Sequence, residues 1–580
     1  MGIGYTIDTP VKVARYGIAS VISIVEDKLI EMMRNYYYPT IQEVCHPITT
    51  HEPDYRAKRI TDYLNLVNKI VQAQVEKLKI AAFEKGSEIV KYFEMLPDDS
   101  KVKQLYTSIR NLENPFEREK VESFLRTQVF AGSIDVNIMT KLDGNTFKKN
   151  GEIPENCSDA ISALRGYANS TLTNSSVIFS AGLNPRLYNY LEQCPQFDAD
   201  EEGDFTKKIV IKVSDYRSAL IQGKYLAKKG IWVSEFRIES GLNCGGHAFA
   251  TDGYLMGPIL EEFKTRKEEL ITTLFEMYTV TLQAKGGKVF TKPHPIKITA
   301  QGGIGTFEED SFLHNYYSLD STGWGTPFLL VPEATTVDEE TLHLLCEAKK
   351  EDVVLSNYSP LGIRFHYLKG TSSELEKQAR IHSGKPGSPC TEKHLAFNTE
   401  FTKEPICTAS HKYQKLKIAQ LQSLNLPENE YNNLLTGVLD KECLCIGLSN
   451  GVAKFYNIPF VKKQPAVNIC PGPNIIYFSK VVSLQTMTDH IYGRKNIIEN
   501  TPRPHMFIAE LQLYINYLKE AIIGNGSVLA DGKKRKYYQD FISNLNKGIE
   551  YYRNLPILSQ VVSFTQALLG AEKQLAEIQY

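Results

Sequence analysis

The stretch IWVSEFRIESGLNCGGH, residues 231–247, joins an apolar run to a pair of glycines and a histidine. Its first eight residues have the β-branched and aromatic character of a buried strand. Gly245 and Gly246 allow a sharp turn and a close approach to the main chain, because they carry no Cβ atom. A strand that ends in this way, with His247 beside the turn, is typical of a binding loop carried by a rigid scaffold.

Similar apolar runs bounded by Gly, Asn or Pro recur through the first 330 residues, with helical spacing between them. This alternation predicts an α/β fold with a parallel sheet, and eight strands would close a (β/α)8 TIM barrel. The eight predicted strands are GIGYT (2–6), IASVISI (18–24), SIDVNIM (133–139), SVIFSAG (176–182), KIVIKVS (208–214), IWVSEFRI (231–238), IKITAQGG (296–303) and GWGTPFLLV (323–331).

About a hundred residues separate the second predicted strand from the third. Leucine, isoleucine and valine recur there at helical intervals, which predicts a helical insertion at about residues 45–125. The insertion either covers the barrel mouth or packs against the outer ring of helices. We predict a barrel domain over residues 1–370 and a cysteine-containing, mostly helical C-terminal module over residues 371–580.

The composition excludes several classes of partner. Lys and Arg number 66 and Asp and Glu 67, a net charge of −1, so nothing favours nucleic acid. No apolar run reaches the roughly 20 residues of a membrane span, and no signal peptide is evident. We therefore expect a soluble cytoplasmic protein that acts on a small molecule or binds another protein.

The ends of the last two predicted strands indicate a phosphate site, because barrels commonly bind phosphate there. Gly302 and Gly303 end the seventh strand, and Thr306 with Glu309 forms a capping box that opens a helix. Exposed amides at such a helix start can hold a phosphate. On the eighth strand, Gly325 and Thr326 would add an amide and a hydroxyl group.

The order of these motifs resembles the nitronate monooxygenase family, which is related to the FMN-dependent enoyl-acyl-carrier-protein reductases. The resemblance covers roughly residues 1–335 and includes IDTPVKVARYGIASVISI, DVNIM, IVIKVSDYRSAL, GLNCGGH, and AQGGI with GTPF. It implies FMN as the cofactor, with flavin contacts from Asn137 and Lys212. It also assigns Gly245 and Gly246 to the phosphate side of the flavin.

The resemblance implies an FMN-dependent oxidoreductase that oxidises a nitronate or nitroalkane with oxygen. The alternative is reduction of an enoyl thioester with NAD(P)H as electron donor, as in a trans-acting component of a lipid or polyketide synthase. In either reaction His247 would transfer a proton, since imidazole titrates near neutral pH. A second alternative is a non-catalytic flavin-binding barrel. The C-terminal module is then a candidate surface for a homodimer or a multienzyme partner.

Half of the ten cysteines fall within about eighty residues of the C-terminal region: Cys390, Cys407, Cys443, Cys445 and Cys470. Thiolates that converge from loops rich in Pro and Gly can bind an iron–sulfur cluster or zinc. His382, His394 and His411 lie nearby and could complete a zinc site. The alternative is that these cysteines are small buried apolar residues.

Overall fold

The computed structural model describes residues 4–24, 26–139, 143–144, 156–245, 252–388, 393–458, 465–498, 502–523 and 532–578. These residues form an α/β protein in which strands and helices alternate over the first 325 positions. None of the helices in these ranges is long and apolar enough to cross a membrane.

The strands are β1 (Ser20–Ile24), β2 (Ile134–Ile138), β3 (Ser175–Phe179), β4 (Lys207–Val213), β5 (Glu235–Glu239), β6 (Lys297–Gln301), β7 (Ser321–Gly323), β8 (Val353–Ser356) and β9 (Phe365–Leu368). The helices of the first half are α1 (Thr9–Val13), α2 (Asp27–Thr40), α3 (Tyr55–Lys79), α4 (Glu88–Glu94), α5 (Lys101–Ser108), α6 (Pro115–Thr127), α7 (Asp159–Ala168), α8 (Pro185–Tyr190), α9 (Tyr216–Ala227) and α10 (Met256–Ala284). Those of the second half are α11 (Phe307–Tyr317), α12 (Glu339–Glu347), α13 (Ser372–His382), α14 (His411–Ser423), α15 (Glu428–Leu439), α16 (Leu444–Phe455), α17 (Leu484–Ile491), α18 (Met506–Ile523), α19 (Gly532–Arg553) and α20 (Val562–Ala576).

Strands β1 to β7 form one parallel sheet in sequential order, curled into a half-barrel. Alternation along β2 shows the two faces: Ile134, Val136 and Ile138 are buried in the main apolar core, whereas Asp135 and Asn137 are partly exposed on the other face. Arg237 of β5 reaches to 4.0 Å from Asp135 of β2, which lies three strands away. The partly exposed face is therefore the concave side of the curl.

Six of the eight predicted strands are confirmed as β1 to β6, and a closed eight-stranded barrel is not observed in the described residues. The prediction at residues 2–6 is wrong over its described part, because Gly4 begins a turn that is closed by the Ile7 amide. Pro10 then opens α1, where its missing amide is no loss.

The eighth predicted strand is wrong in its extent. Only Ser321–Gly323 pairs with β6, and residues 326–330 form a 3₁₀ helix. Pro327 explains the change, because a proline ring has no N–H group to continue a ladder of hydrogen bonds.

The region predicted as an insertion is helical and contains α3 to α6. Helix α3 packs against α2 and α7, the helices that follow β1 and β2. Helices α3 and α7 approach each other closely at Gly166 of α7, because a Cβ atom at this position would come within 2.7 Å of Ile60 in α3.

The second half of the chain is mostly helical, with one antiparallel hairpin of β8 and β9. Helices α18, α19 and α20 contribute side chains to the same apolar core as β1 to β6, including Phe507, Leu511 and Tyr552. The C-terminal region is thus packed directly on the half-barrel. The boundary at residue 370 stays a prediction.

Candidate functional site

Four polar side chains lie near the carboxyl ends of the strands on the concave face: Asn137, Lys212, Glu239 and Gln301. We call them the upper layer. Lys212 Nζ lies 3.2 Å from Glu239 Oε1, and Gln301 Nε2 donates to the same oxygen at 2.5 Å. Burial acts to raise the pKa of Glu239, but the Lys212 ammonium and the hydrogen bonds from Lys212 and Gln301 act against it, and the pKa lies below its ordinary value. Glu239 is therefore a carboxylate at neutral pH.

A second set of polar side chains lies deeper on the concave face: Asp135, Glu235, Arg237 and Thr299. Arg237 pairs with Glu235 at 2.7 Å, and Thr299 donates to Glu235 at 2.5 Å. Burial raises the pKa of Asp135 to about 6, although Arg237 acts to lower it. A carboxyl group of this kind can exchange a proton near neutral pH.

The sequence reading missed Asp135, Glu235, Arg237, Glu239 and Gln301 as concave residues. The signal was present in the strands themselves, because every second residue of EFRIE (235–239) is charged. In a parallel sheet with helices on one side, such alternation indicates that the opposite face is polar.

Asn137 lies near the end of β2 on the concave face. Its Nδ2 donates to Ser23 Oγ at 3.5 Å, a long hydrogen bond. Its Oδ1 is buried and accepts no hydrogen bond from the described residues. A buried amide oxygen without a donor is costly, so a ligand that supplies an N–H or O–H group would relieve it.

The glycines predicted to hold a phosphate lie together but are covered by protein. Gly302 and Gly303 have positive φ angles of 102° and 82°. A Cβ atom on Gly302 would come within 3.1 Å of the Asn243 amide, and one on Gly303 within 2.6 Å of Leu242. The space next to these glycines is therefore occupied by the segment that follows β5 and not by open solvent.

Gly325 and Thr326 are covered in the same way. A Cβ atom on Gly325 would come within 3.1 Å of Cys244 Cβ. Thr326 is buried, and its hydroxyl accepts from the amide of Gly472 at 3.2 Å. A Cβ atom on Gly472 would come within 2.8 Å of the Leu242 carbonyl, so the C-terminal region is wedged between these two loops.

At the start of α11, the backbone donates a hydrogen bond to a carboxylate of the protein, that of Glu309. Thr306 caps the helix as predicted, accepting from the Glu309 amide at 3.2 Å. Glu309 turns inward, where its Oε2 accepts from the Gly305 amide at 2.9 Å and its Oε1 from Arg503 Nη1 at 2.6 Å. The residues here do not fit the phosphate of FMN, because the glycine turn and the helix start are already filled.

The loop after β5 is held by three residues from the second half of the chain. The Gly245 amide donates to the Cys470 carbonyl at 2.9 Å, with φ of 71° at Gly245. His366 Nε2 lies 2.8 Å from the Gly241 carbonyl and, since burial lowers its pKa to about 4, donates as the neutral ring.

Glu510 is the third of these residues. Its carboxylate accepts from the Ser240 hydroxyl and the Gly241 amide on one side of the loop, and from the Met256 amide on the other. Gly246 and His247, predicted as cofactor and catalytic residues, lie outside the described residues. Their roles stay predictions.

The predicted metal centre has no ligand set in the described part of the chain, where no three His, Cys, Asp or Glu residues are grouped to hold a metal. Cys407 and Cys470 are buried, Cys443 and Cys445 flank the start of α16, and Cys390 lies outside the described residues. The Sγ of Cys470 has a raised pKa, owing first to burial and then to Cys244. An iron–sulfur cluster or zinc therefore stays a prediction.

Comparison with known proteins adds little to this geometry. No family model matches the chain, and no curated protein matches it. Among solved structures, it is similar to the enoyl reductase domain of MlnA from the macrolactin biosynthesis cluster of Bacillus amyloliquefaciens. The identity is 15%, the match covers 72% of this chain and 93% of that chain, and the TM-score is 0.32. A likeness of this size carries no functional argument.

Proposed function

We propose that the chain is a small-molecule oxidoreductase that binds its ligand over the upper layer of the concave face. The proposal rests on one observation. A hydrogen-bond acceptor that has no donor among the described residues lies on the same surface as a cationic side chain. Asn137 offers the buried Oδ1, and Lys212 offers its ammonium group at the end of the next strand but one. These two residues are those for which the sequence resemblance implies contact with a flavin ring.

Lys212 is suited to stabilise negative charge that develops on a ligand. An ammonium group has three N–H donors, and Glu239 accepts one of them in the described residues. Gln301 fixes Glu239 from the other side, so the lysine is held in position. Negative charge on a nitronate, an enolate or a reduced ring would be stabilised by the remaining donors.

Two reactions are consistent with this surface, oxidation of a nitronate-like carbon acid and reduction of an enoyl thioester. Both need a proton transfer at carbon, for which we propose His247. Both also need a redox cofactor, which the sequence resemblance implies to be a flavin. Asn137 and Lys212 would face its ring, whereas the glycine turn and the helix start do not fit the phosphate of FMN.

The non-catalytic alternative is favoured by a specific observation, the filled phosphate cradle. A barrel that had lost its cofactor would gain stability by packing Leu242, Cys244 and Arg503 against the glycines at positions 303, 325 and 305. The same packing would leave the upper layer without a function.

Spectroscopy of the purified chain separates these readings. We expect a flavin-type visible spectrum after reconstitution, followed by bleaching on anaerobic titration with NADPH or NADH. Oxygen uptake with ethyl nitronate then indicates the oxidase, whereas loss of crotonyl thioester indicates the reductase. Absence of flavin and of both activities would contradict the proposal and favour the non-catalytic barrel.

A further inference from the structure

Next to the concave face, the position at which a barrel of this kind commonly binds a phosphate lies at the start of α11. In this chain the Gly303 carbonyl and the backbone groups of Gly305 at that position have partners from the protein. The Gly305 amide donates to Glu309, and the Gly305 carbonyl accepts from His490 Nε2 at 2.9 Å. The Gly303 carbonyl accepts from Arg503 Nη2 at 2.6 Å.

Glu309 and Arg503 together form a closed ionic unit. Their side chains are 3% and 7% exposed, and Arg503 Nε also donates to Asn474 Oδ1 at 2.8 Å. The Met506 amide donates to Glu309 Oε1 at 2.6 Å, which adds a second backbone donor to the carboxylate. Glu309 thus receives the two amides and the guanidinium that a bound phosphate would receive.

The charges of the concave face also disfavour a bound phosphate. Two cations, Lys212 and Arg237, are paired there with Glu239 and Glu235, and Asp135 adds a third carboxyl group. Among the described residues each of these cations is paired with a carboxylate, so a doubly charged phosphate brought to this surface would be repelled by the carboxylates.

We infer that Glu309 is a built-in anion that replaces the phosphate of a ligand, so that the half-barrel binds an unphosphorylated molecule. The inference rests on the proposed function for the position of the ligand over the upper layer. It differs from the sequence expectation, in which the same glycines and helix start bind the phosphate of FMN.

Riboflavin and FMN provide the direct test, because they differ only in the phosphate. Fluorescence titration of the full chain should give riboflavin a Kd equal to or lower than that of FMN. A Kd for FMN that is lower by about tenfold or more would overturn the inference. This comparison needs no variant and no activity.

Orthophosphate provides a test that does not depend on flavin binding. At equal ionic strength, phosphate in place of chloride should leave the melting temperature of the wild-type chain and of Glu308→Ser unchanged. It should raise that of Glu309→Ser, because the Gly305 amide and Arg503 then lack their anion. Glu308 is the exposed neighbour of Glu309 on α11 and is the matched control.

The outcomes separate the two proposals. If neither flavin binds and phosphate does not stabilise the wild-type chain, the proposed function fails and the built-in anion stands. Stabilisation of the wild-type chain by phosphate, to the same degree as Glu309→Ser, would contradict the built-in anion. The wild-type measurement decides the point even if Glu309→Ser does not fold.

Discussion

The carboxylate of Glu510 lies 2.9 Å from the hydroxyl of Ser240, the first residue after β5. Its other oxygen accepts from the amide of Met256, the first residue of α10, at 2.8 Å. One buried side chain from the C-terminal region therefore holds both ends of the connection that carries the Gly-Gly-His sequence. The geometry of the candidate site depends on a helix residue that lies 254 to 270 positions away in the chain from its partners.

Replacement of Glu510 by glutamine should destabilise the chain by about 1–3 kcal/mol. The carboxylate accepts hydrogen bonds from backbone amides through both of its oxygens, whereas the NH2 group of glutamine would place a donor opposite one of these amides. Chemical denaturation measures this loss. Glu520→Gln is the matched control, since Glu520 lies on the same helix but is exposed. Equal stability of the two variants would contradict the role of Glu510.

The buried carboxylate of Glu309 predicts a loss of stability in acid. Arg503 keeps the pKa of Glu309 below its ordinary value of 4.5, against the effect of burial. Its contribution to stability is therefore present above pH 4.5 and is lost as the pH falls through the lower, folded-state pKa.

Urea unfolding of the wild-type chain and Glu309→Gln at a series of pH values tests this dependence. The difference in unfolding free energy between them should shrink as the pH falls below 4.5. Glu308→Gln should follow the wild-type curve throughout. A difference that stays constant across this range would show that the carboxylate of Glu309 is not the titrating group.

Gly303 should be required for folding rather than for cofactor retention alone. A valine there would have to adopt φ of 82° and would intrude on Leu242, where a Cβ atom lies within 2.6 Å. We expect Gly303→Val to lose roughly 1–3 kcal/mol of stability, with or without flavin. Gly437→Ala is the control, because nothing lies within 4 Å of its Cβ position. A Gly303→Val chain as stable as the wild type would refute this packing.

His247→Asn should lower turnover by about 10²–10⁴-fold, the usual contribution of proton transfer by a side chain. Ligand binding and melting temperature should be retained, since the proposed role is chemical. His343→Asn, at an exposed position of α12, should change none of the three. A fully active His247→Asn chain would rule out the proton-transfer role, and simultaneous loss of stability would indicate a structural one.

The sequence was sufficient to predict the six strands β1 to β6, because each is a short β-branched run bounded by Gly, Asn or Ser. It failed at residues 2–6, where Gly4 and Ile7 close a turn, and at residues 323–331, where Pro327 lacks the N–H group that strand pairing needs. Both segments are apolar enough to resemble strands, and the turn and the 3₁₀ helix become clear only in the folded structure.

The candidate site was predicted in part. The family resemblance implied Asn137 and Lys212, but their neighbours Glu239 and Gln301 follow from curling of the sheet, which brings distant strand ends together. The covering of Gly303 by Leu242 and of Gly305 by Arg503 could not be predicted, because it depends on contacts between residues up to 200 positions apart. A glycine pattern indicates that another group can come close to the backbone, but it does not indicate whether that group is a ligand or another part of the protein.

The central claim is that a ligand binds over the upper layer, and riboflavin titration of the wild-type chain, Lys212→Met and Lys208→Met tests it most directly. Lys208 lies on the same strand and is exposed, so it is the matched control. We predict saturable binding to the wild-type chain, an unchanged Kd for Lys208→Met, and a Kd raised by about tenfold or more for Lys212→Met, the effect of losing a hydrogen bond to a charged group. No binding to the wild-type chain, or an equal Kd for the two variants, would contradict the account.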